Sequence, residues 1–186
     1  MKQCINIVWL KRDVRLIDHP PLYRALAEGQ PVLLIYCFEN ELLELPIYSD
    51  RHWRFVIQGL RDMHLQLSKY HARSVQVIRG SFVAFLQQLQ EHVTITAVYS
   101  TQETGLQWTF DRDKAVGRWL RTQGIPWYEI NTDGIRRAVL NRDNWWADWH
   151  AYMDRRLETP YYNRAQWYLL PPDLEAAFEA SSYTKG

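Results

Sequence analysis

Five short apolar segments alternate with longer segments in which apolar residues recur every three or four positions. The apolar segments cover residues 5–10, 32–38, 75–78, 96–99 and 127–130. The second of them, VLLIYCF, is apolar throughout, as expected of a strand that is covered on both faces. Strands that alternate with helices form parallel sheets with right-handed crossovers. The pattern therefore predicts an α/β fold, a doubly wound, Rossmann-like sheet of five parallel strands with helices on both faces.

The helices between these strands have recognisable ends. Asp18 is predicted to cap the first helix, because two prolines follow it in what would be the first turn. Ser49 or Asp50 is predicted to cap a long helix in which apolar residues recur at helical spacing. Two further helices are predicted over residues 82–89 and 108–120.

The C-terminal part of the chain differs in character. The sequence predicts a domain over residues 1–140, followed by a segment over residues 141–186 that contains a Trp-rich helix and an irregular, proline-containing connector. The helix carries Trp145, Trp146 and Trp149, which we expect to form an apolar surface against the sheet or another domain, because Trp is enriched at interfaces.

Bulk composition excludes several classes of protein. A hydrophobic content of 47%, with 9 Trp and 11 Tyr, indicates a packed core rather than disorder. A net charge of +1 gives no overall attraction to nucleic acid. The two cysteines, Cys4 and Cys37, are predicted to be small buried hydrophobic residues, and no metal site is expected. Without a leader or a long apolar run, we expect a cytoplasmic protein with no membrane contact.

Charged and aromatic residues concentrate in the turns that follow the predicted strands. These turns cover residues 11–18, 37–41, 79–81 and 100–105, and ligands of open α/β sheets bind at this edge. Carboxylates beside aromatic rings, Phe38 with Glu39 and Trp108 with Glu103, would suit a flat heterocycle that stacks and donates hydrogen bonds. Two structural alternatives stay open. The first turn could instead be an ion-pair network of Asp13, Arg15 and Asp18, and the aromatic residues could belong to the core.

Three segments resemble the DNA photolyase and cryptochrome family. Residues 9–22, WLKRDVRLIDHPPL, are similar to the family's opening signature. The second strand ends in YCF, and the helix that follows begins YSDRHWRF, as in the family. The segment ETG followed by WTFDRD, within residues 103–113, resembles the iron–sulfur bacterial cryptochrome/photolyase branch most.

The resemblance implies a function for the whole chain. In this family the N-terminal α/β domain holds an accessory antenna chromophore, while a helical C-terminal domain holds FAD, contacts DNA and performs the light-driven electron transfer. That helical domain is expected to be absent from residues 1–186, so this chain alone is expected to be inactive. The chain is then either a fragment or a standalone homologue of the antenna domain.

The resemblance also implies a ligand and a set of binding residues. Folate-binding members place an Asn-Glu pair where this chain has Trp108 and Thr109, which disfavours methenyltetrahydrofolate. The iron–sulfur branch uses 6,7-dimethyl-8-ribityllumazine. The cofactor-binding residues carried over to this chain are Cys37, Phe38, Glu39, Arg51 and Glu103, and no catalytic or metal-binding residue is implied.

Two functions of other classes remain open from the sequence. A nucleotide- or metabolite-binding α/β module without photochemistry would use the same fold and the same edge of the sheet. A scaffold could bind a partner through the face formed by Trp145, Trp146 and Trp149. Nucleophilic catalysis is not expected, since the chain has no G-x-S-x-G elbow, and it also lacks P-loop, G-x-G-x-x-G, H-E-x-x-H and C-x-x-C motifs.

Overall fold

The centre of the fold is a five-stranded parallel sheet with strand order β3-β2-β1-β4-β5. The computed structural model describes residues 1–70, 75–132, 134, 141 and 143–178. The strands are β1 (Gln3–Leu10), β2 (Val32–Phe38), β3 (Gln76–Arg79), β4 (Val93–Thr101) and β5 (Trp127–Ile130). All four strand pairings are parallel. The predicted five-stranded parallel sheet is confirmed, although β4 begins at Val93 rather than at residue 96.

Helices cover both faces of this sheet, as predicted. The helices of the described residues are α1 (Pro20–Ala27), α2 (Asn40–Leu43), α3 (Asp50–Ser68), α4 (Phe82–His92), α5 (Gln107–Thr122), α6 (Trp145–Met153) and α7 (Pro172–Ala177). The hydrophobic core on one face joins the sheet to α4, α5 and α7. The core on the other face joins it to α1 and α3. Strands β1 and β2 lie between the helices of the two faces, which explains why these strands are almost wholly apolar.

Two details of the helix ends differ from the prediction. The cap of α1 is His19, whose Nδ1 accepts a hydrogen bond from the backbone N–H of Leu22 at 3.1 Å. Asp18 precedes it with a φ of 48°, in the left-handed region. Ser49 caps α3 through a capping box with His52. The prediction for Asp18 is therefore wrong, and of the two candidates for α3 Ser49 is the cap.

The two cysteines differ in burial. Cys37 is buried in β2, but Cys4 is exposed, because the first two residues of β1 extend beyond the helices that cover the rest of the strand. The prediction that both cysteines are buried is wrong for Cys4.

The chain that follows α6 packs against the domain. The backbone N–H of His19 donates to the Glu158 carbonyl at 3.0 Å, and Trp167 forms a parallel bridge with Val32 at the start of β2. Leu174 of α7 is buried in the core beside α4. Helix α6 is different, since none of its residues is buried. Residues 179–186, the end of the predicted connector, lie outside the described residues.

The described helices include none with the length and apolar character that crossing a membrane requires.

Candidate functional site

A cavity of about 1020 Å³ opens at the carboxyl ends of β1 and β2, between α3 and α5. Trp9, Lys11 and Arg12 contribute its wall at the end of β1. Tyr36 and Cys37 contribute the end of β2. The cavity lies where the turns after parallel strands converge, the usual position of a ligand site in an open α/β sheet.

The side of this cavity formed by α3 and the loop before it is apolar and aromatic. Ile47, Tyr48, Trp53, Phe55 and Val56 line it. The Tyr48 and Trp53 rings lie 5.1 Å apart between centroids, and the side chains of Ile47 and Phe55 are more than half exposed. Exposed apolar residues that border a deep cavity indicate a surface that a ligand covers.

Glu103 supplies a carboxylate to the lining of the same cavity. The residue is 6% exposed and lines the cavity. Its Oε1 atom accepts no hydrogen bond from the part of the chain that the structure describes, although Arg12 Nε lies 3.3 Å away as an ion pair. Buried carboxylate oxygens normally have donors. A donor from a ligand would reach this buried oxygen if the Arg12 side chain, which is 55% exposed, moved aside.

Gly105 makes room for that carboxylate. A Cβ atom at position 105 would lie 2.6 Å from Glu103 Oε1 and 2.8 Å from Arg12 Cζ. Any side chain there would displace the Arg12–Glu103 pair from its place in the cavity wall. The indole Nε1 of Trp53 is a second buried polar atom without a hydrogen-bond partner among the described residues. Two residues of the cavity wall therefore each contain a polar atom without a hydrogen-bond partner among the described residues. Glu103 has an acceptor, Oε1, and Trp53 has a donor, Nε1.

A network of buried charges supports the cavity from behind. Arg112 donates to Glu39 Oε2 at 2.8 Å and contacts Asp113 Oδ1 at 2.9 Å. Lys11 Nζ lies 2.7 Å from Asp113 Oδ2 and 3.8 Å from Glu129. Lys11 and Arg112 line the cavity, but Glu39 and Asp113 do not. The two cations therefore form part of the cavity surface and are held in place by carboxylates beneath it.

Burial perturbs several of these groups. Burial raises the pKa of Glu39 to about 7, against the opposing attraction of Arg112. Burial lowers the pKa of Lys11, which Asp113 partly counteracts. The thiol of Cys37 has a raised pKa for the same reason, and it donates a hydrogen bond to the Gly80 carbonyl at 3.2 Å. Cys37 is therefore a neutral wall residue and not an activated nucleophile.

The five residues carried over from the resemblance occupy different places. Cys37, Arg51 and Glu103 line the cavity. Glu39 lies behind it and reaches it through Arg112. Phe38 is 1% exposed and packs in the core beside Trp53, which agrees with the alternative that it is a core residue.

The sequence did not reveal the part played by Arg112 and Lys11. Lys11 meets Asp113 across 102 positions of sequence, and Arg112 meets Glu39 across 73, so no local spacing signals either pair. Trp108, which the sequence suggested as a ring platform, does not line the cavity. Arg112, one turn later on α5, lies 5.7 Å from its ring.

The first turn combines a buried pair with surface ion pairs. Asp13 is buried, and its Oδ2 lies 2.9 Å from His19 Nε2. Burial alone would raise the pKa of Asp13, but His19 and the turn's backbone N–H groups lower it below the usual value. Arg15 and Asp18 lie 4.0 Å apart at the surface. The pair of Arg15 and Asp18 agrees with the ion-pair alternative, but Asp13 pairs with His19 instead of joining that network.

Comparison with known proteins identifies the family. The family model described as DNA photolyase matches residues 6–138. The chain belongs to the DNA photolyase family. Among curated relatives, cryptochrome-1 of Anopheles gambiae is 27% identical over 128 residues, which cover 64% of this chain and 23% of that protein. Deoxyribodipyrimidine photo-lyase of Vibrio cholerae is 27% identical over 127 residues, which cover 66% and 27% respectively.

Solved structures of photolyases share the fold. A class III photolyase from Agrobacterium tumefaciens has a TM-score of 0.71 at 20% identity, over 92% of this chain and 37% of that one. The archaeal photolyase from Sulfolobus tokodaii, with two FAD molecules, has a TM-score of 0.70 at 17% identity, over 98% and 42%. The chain spans about a quarter of the length of the two curated relatives.

Proposed function

We propose that this chain is the chromophore-binding, light-harvesting domain of a photolyase- or cryptochrome-related protein. It would absorb near-UV or blue light and pass the excitation to FAD in a helical C-terminal domain. DNA would be contacted through that domain, and residues 1–186 alone would be inactive in repair. The segment within residues 103–113 supports a relationship to the iron–sulfur bacterial branch.

The observation that carries this proposal is the Glu103 carboxylate in the cavity wall, whose Oε1 accepts no hydrogen bond from the described residues. A flat heterocycle with an imide N–H would donate to this oxygen. Its ring would lie against the aromatic side of the cavity that includes Tyr48 and Trp53. Both 6,7-dimethyl-8-ribityllumazine and the flavins carry such an N–H between two carbonyl groups. A carbonyl next to it would also offer an acceptor to the Trp53 indole.

The size and chemistry of the cavity agree with a ligand of this class. Sites for small molecules commonly enclose about 300–1,000 Å³ and combine apolar walls with a few polar groups. The cavity of about 1020 Å³ accommodates a ring and a polyol side chain. Cys37, Arg51 and Glu103 would contact the ligand. Glu39 would act by holding Arg112, and Phe38 by supporting Trp53 from the core.

Replacement of Glu103 tests this proposal. We expect Glu103→Gln to weaken binding of 6,7-dimethyl-8-ribityllumazine about tenfold, because a charged acceptor contributes about 1.5–3 kcal/mol. Ligand fluorescence during titration with the purified protein measures the dissociation constant. Glu44→Gln is the matched control, since Glu44 does not line the cavity.

Three results would count against the proposal. One is a protein that binds no lumazine or flavin, and another is a Glu103→Gln variant that binds the ring as tightly as the native chain. The third is a protein that takes up an adenine nucleotide and ignores lumazine, which would favour a nucleotide-binding module without photochemistry. The scaffold alternative rests on α6, where Trp145 and Trp146 are 47% and 63% exposed. Loss of lumazine binding would leave that surface as the main functional feature.

A further inference from the structure

Arg12 is the most exposed of the three basic cavity residues that pair with carboxylates. Its side chain is 55% exposed, whereas those of Lys11 and Arg112 are 2% and 10% exposed. Lys11 and Arg112 each donate a hydrogen bond to a carboxylate partner. Arg12 contacts Glu103 as an ion pair, with 3.3 Å between Nε and Oε1, and Oε1 accepts no hydrogen bond within the described part of the chain. Arg12 is therefore the cation of this group that leaves its partner most easily, since half-exposed ion pairs contribute little to stability.

Gly105 gives the Arg12 guanidinium its place over Glu103. The φ of Gly105 is not positive, so the backbone itself does not require glycine at this position. A Cβ atom here would lie 2.8 Å from Arg12 Cζ and 2.6 Å from Glu103 Oε1, closer than non-bonded atoms pack. The missing side chain thus lets the guanidinium lie against the backbone and cover the carboxylate oxygen.

Arg12 and Glu103 also line a second, smaller cavity. It has a volume of about 190 Å³ at the carboxyl ends of β1 and β4, where Thr101, Gln102 and Thr104 line it. The strand order of the sheet reverses between β1 and β4, a position at which open α/β sheets bind ligands. The Arg12–Glu103 pair therefore borders both cavities, and displacement of Arg12 would open space around Oε1 on both sides.

Departure of Arg12 would not leave the Glu103 carboxylate without a cation. Arg112 Nη2 lies 3.6 Å from Glu103 Oε2, and the Arg112 guanidinium is fixed by its hydrogen bond to Glu39. The separation of Arg12 from Glu103 thus costs little, because the released guanidinium enters water and the carboxylate keeps a positive neighbour.

We propose that Arg12 is a gate over Glu103, which the ring of the ligand displaces when its N–H bonds to Oε1. The inference rests on the proposed function and adds the residue that controls access to the carboxylate. With Arg12 in place, Oε1 is buried and closed to a ligand. With Arg12 turned into solvent, the same oxygen is an acceptor in the cavity wall. A ring with an N–H donor replaces the lost ion pair by a hydrogen bond to a charged group, so the gate selects imide rings over N-alkylated ones.

Replacement of Arg12 by methionine tests the gate, because it removes the competing cation and keeps an unbranched chain. Riboflavin and 3-methylriboflavin are the matched probes, since they differ only by a methyl group in place of the imide hydrogen. We expect Arg12→Met to bind riboflavin about two- to fivefold more tightly than the native chain, the contribution of a surface ion pair, and 3-methylriboflavin no more tightly. Arg24→Met is the control, because Arg24 is 53% exposed, pairs with Glu158 through Nε and lines neither cavity. Flavin fluorescence at low ionic strength measures the dissociation constants.

The outcomes separate this inference from the proposed function. An unchanged or weaker affinity of Arg12→Met for riboflavin would overturn the gate and leave the ring site standing, since Arg12 would then be a fixed part of the wall. Equal tightening for both flavins would also overturn it, because the gain would come from added space and not from a released acceptor. Failure of riboflavin and of ribityllumazine to bind the native chain would overturn the proposed function and the gate together.

The stability of the free proteins gives an independent check. Arg12→Met and Arg24→Met each lose one half-exposed ion pair, so their unfolding midpoints in urea should agree. A much lower midpoint for Arg12→Met would show that the Arg12–Glu103 pair holds the fold together, which would overturn its role as a gate.

Discussion

Replacing Lys11 by methionine is expected to lower the free energy of unfolding by about 3 kcal/mol. Breaking a buried ion pair costs roughly 3–5 kcal/mol, because the remaining charge is left without its partner in a medium of low dielectric. Asp113 Oδ2 would lose the ammonium group that lies 2.7 Å away. The lower end of the range applies here, since Arg112 stays 2.9 Å from Oδ1 of the same carboxylate. Urea denaturation at neutral pH measures the change.

Two variants identify the cause of this effect. Lys114→Met removes a cation from the exposed side of α5, where the Lys114 side chain is 51% accessible, and should change stability by no more than about 0.5 kcal/mol. Asp113→Asn added to Lys11→Met should restore part of the loss, because the orphaned charge is then removed. A Lys11→Met protein as stable as the native chain would show that the pair does not support the cavity wall.

The stability of the native chain is expected to decrease by about 3 kcal/mol between pH 4.5 and pH 7 because of Glu39. Burial raises the pKa of this carboxyl from its ordinary value of 4.5 to about 7 in the folded chain. The folded state therefore holds a proton that the unfolded state releases. The contribution of Glu39 is complete below pH 4.5 and is lost as the pH rises through 7. Each tenfold difference in proton affinity between the folded and unfolded states contributes about 1.36 kcal/mol.

Glu39→Gln isolates this contribution, because the amide oxygen still accepts the hydrogen bond from Arg112 but cannot titrate. Chemical denaturation of both proteins from pH 4 to pH 8 gives the difference in the free energy of unfolding, in which other titrating groups cancel. We expect this difference to change by about 3 kcal/mol across the interval and to level off above it. A constant difference would mean that Glu39 titrates as an ordinary exposed carboxyl.

The fold was predictable because each of its signals is local. Apolar segments of strand length alternate with amphipathic helices, and this alternation leaves a parallel sheet with two covered faces as the consistent arrangement. The wrong prediction of the α1 cap comes from competition between neighbouring side chains for the free backbone N–H groups of the first turn. At the start of α1 the imidazole of His19 accepts the N–H of Leu22, whereas Asp18 would have been the commoner choice of cap. The imidazole is held in that orientation by Asp13 on its other side.

The site was predictable only in part. The turns after the strands indicated that Cys37 and Glu103 lie at one edge of the sheet, and the structure brings both into one cavity. The residues that support them come from distant parts of the chain, as Lys11 does when it meets Asp113 of α5. The packing of α5 against the sheet brings such residues together, and no pattern within a single segment predicts that packing.

These observations agree with the proposal that the chain is an antenna domain. The sheet brings its strand ends together, the buried charge network supports the polar wall, and α3 supplies the aromatic side. The Glu103 carboxylate then lies in the wall that a planar ligand with an N–H donor would meet. Under the proposed function, such a ligand would capture light for FAD in a helical domain.

A structure of crystals of the chain soaked with 6,7-dimethyl-8-ribityllumazine or riboflavin tests the central claim most directly. The account predicts one ring per chain against the aromatic side of the cavity, with its imide N–H within hydrogen-bond distance of Glu103 Oε1. A ring bound elsewhere, or a cavity filled by the side chains of α3 under saturating ligand, would contradict it.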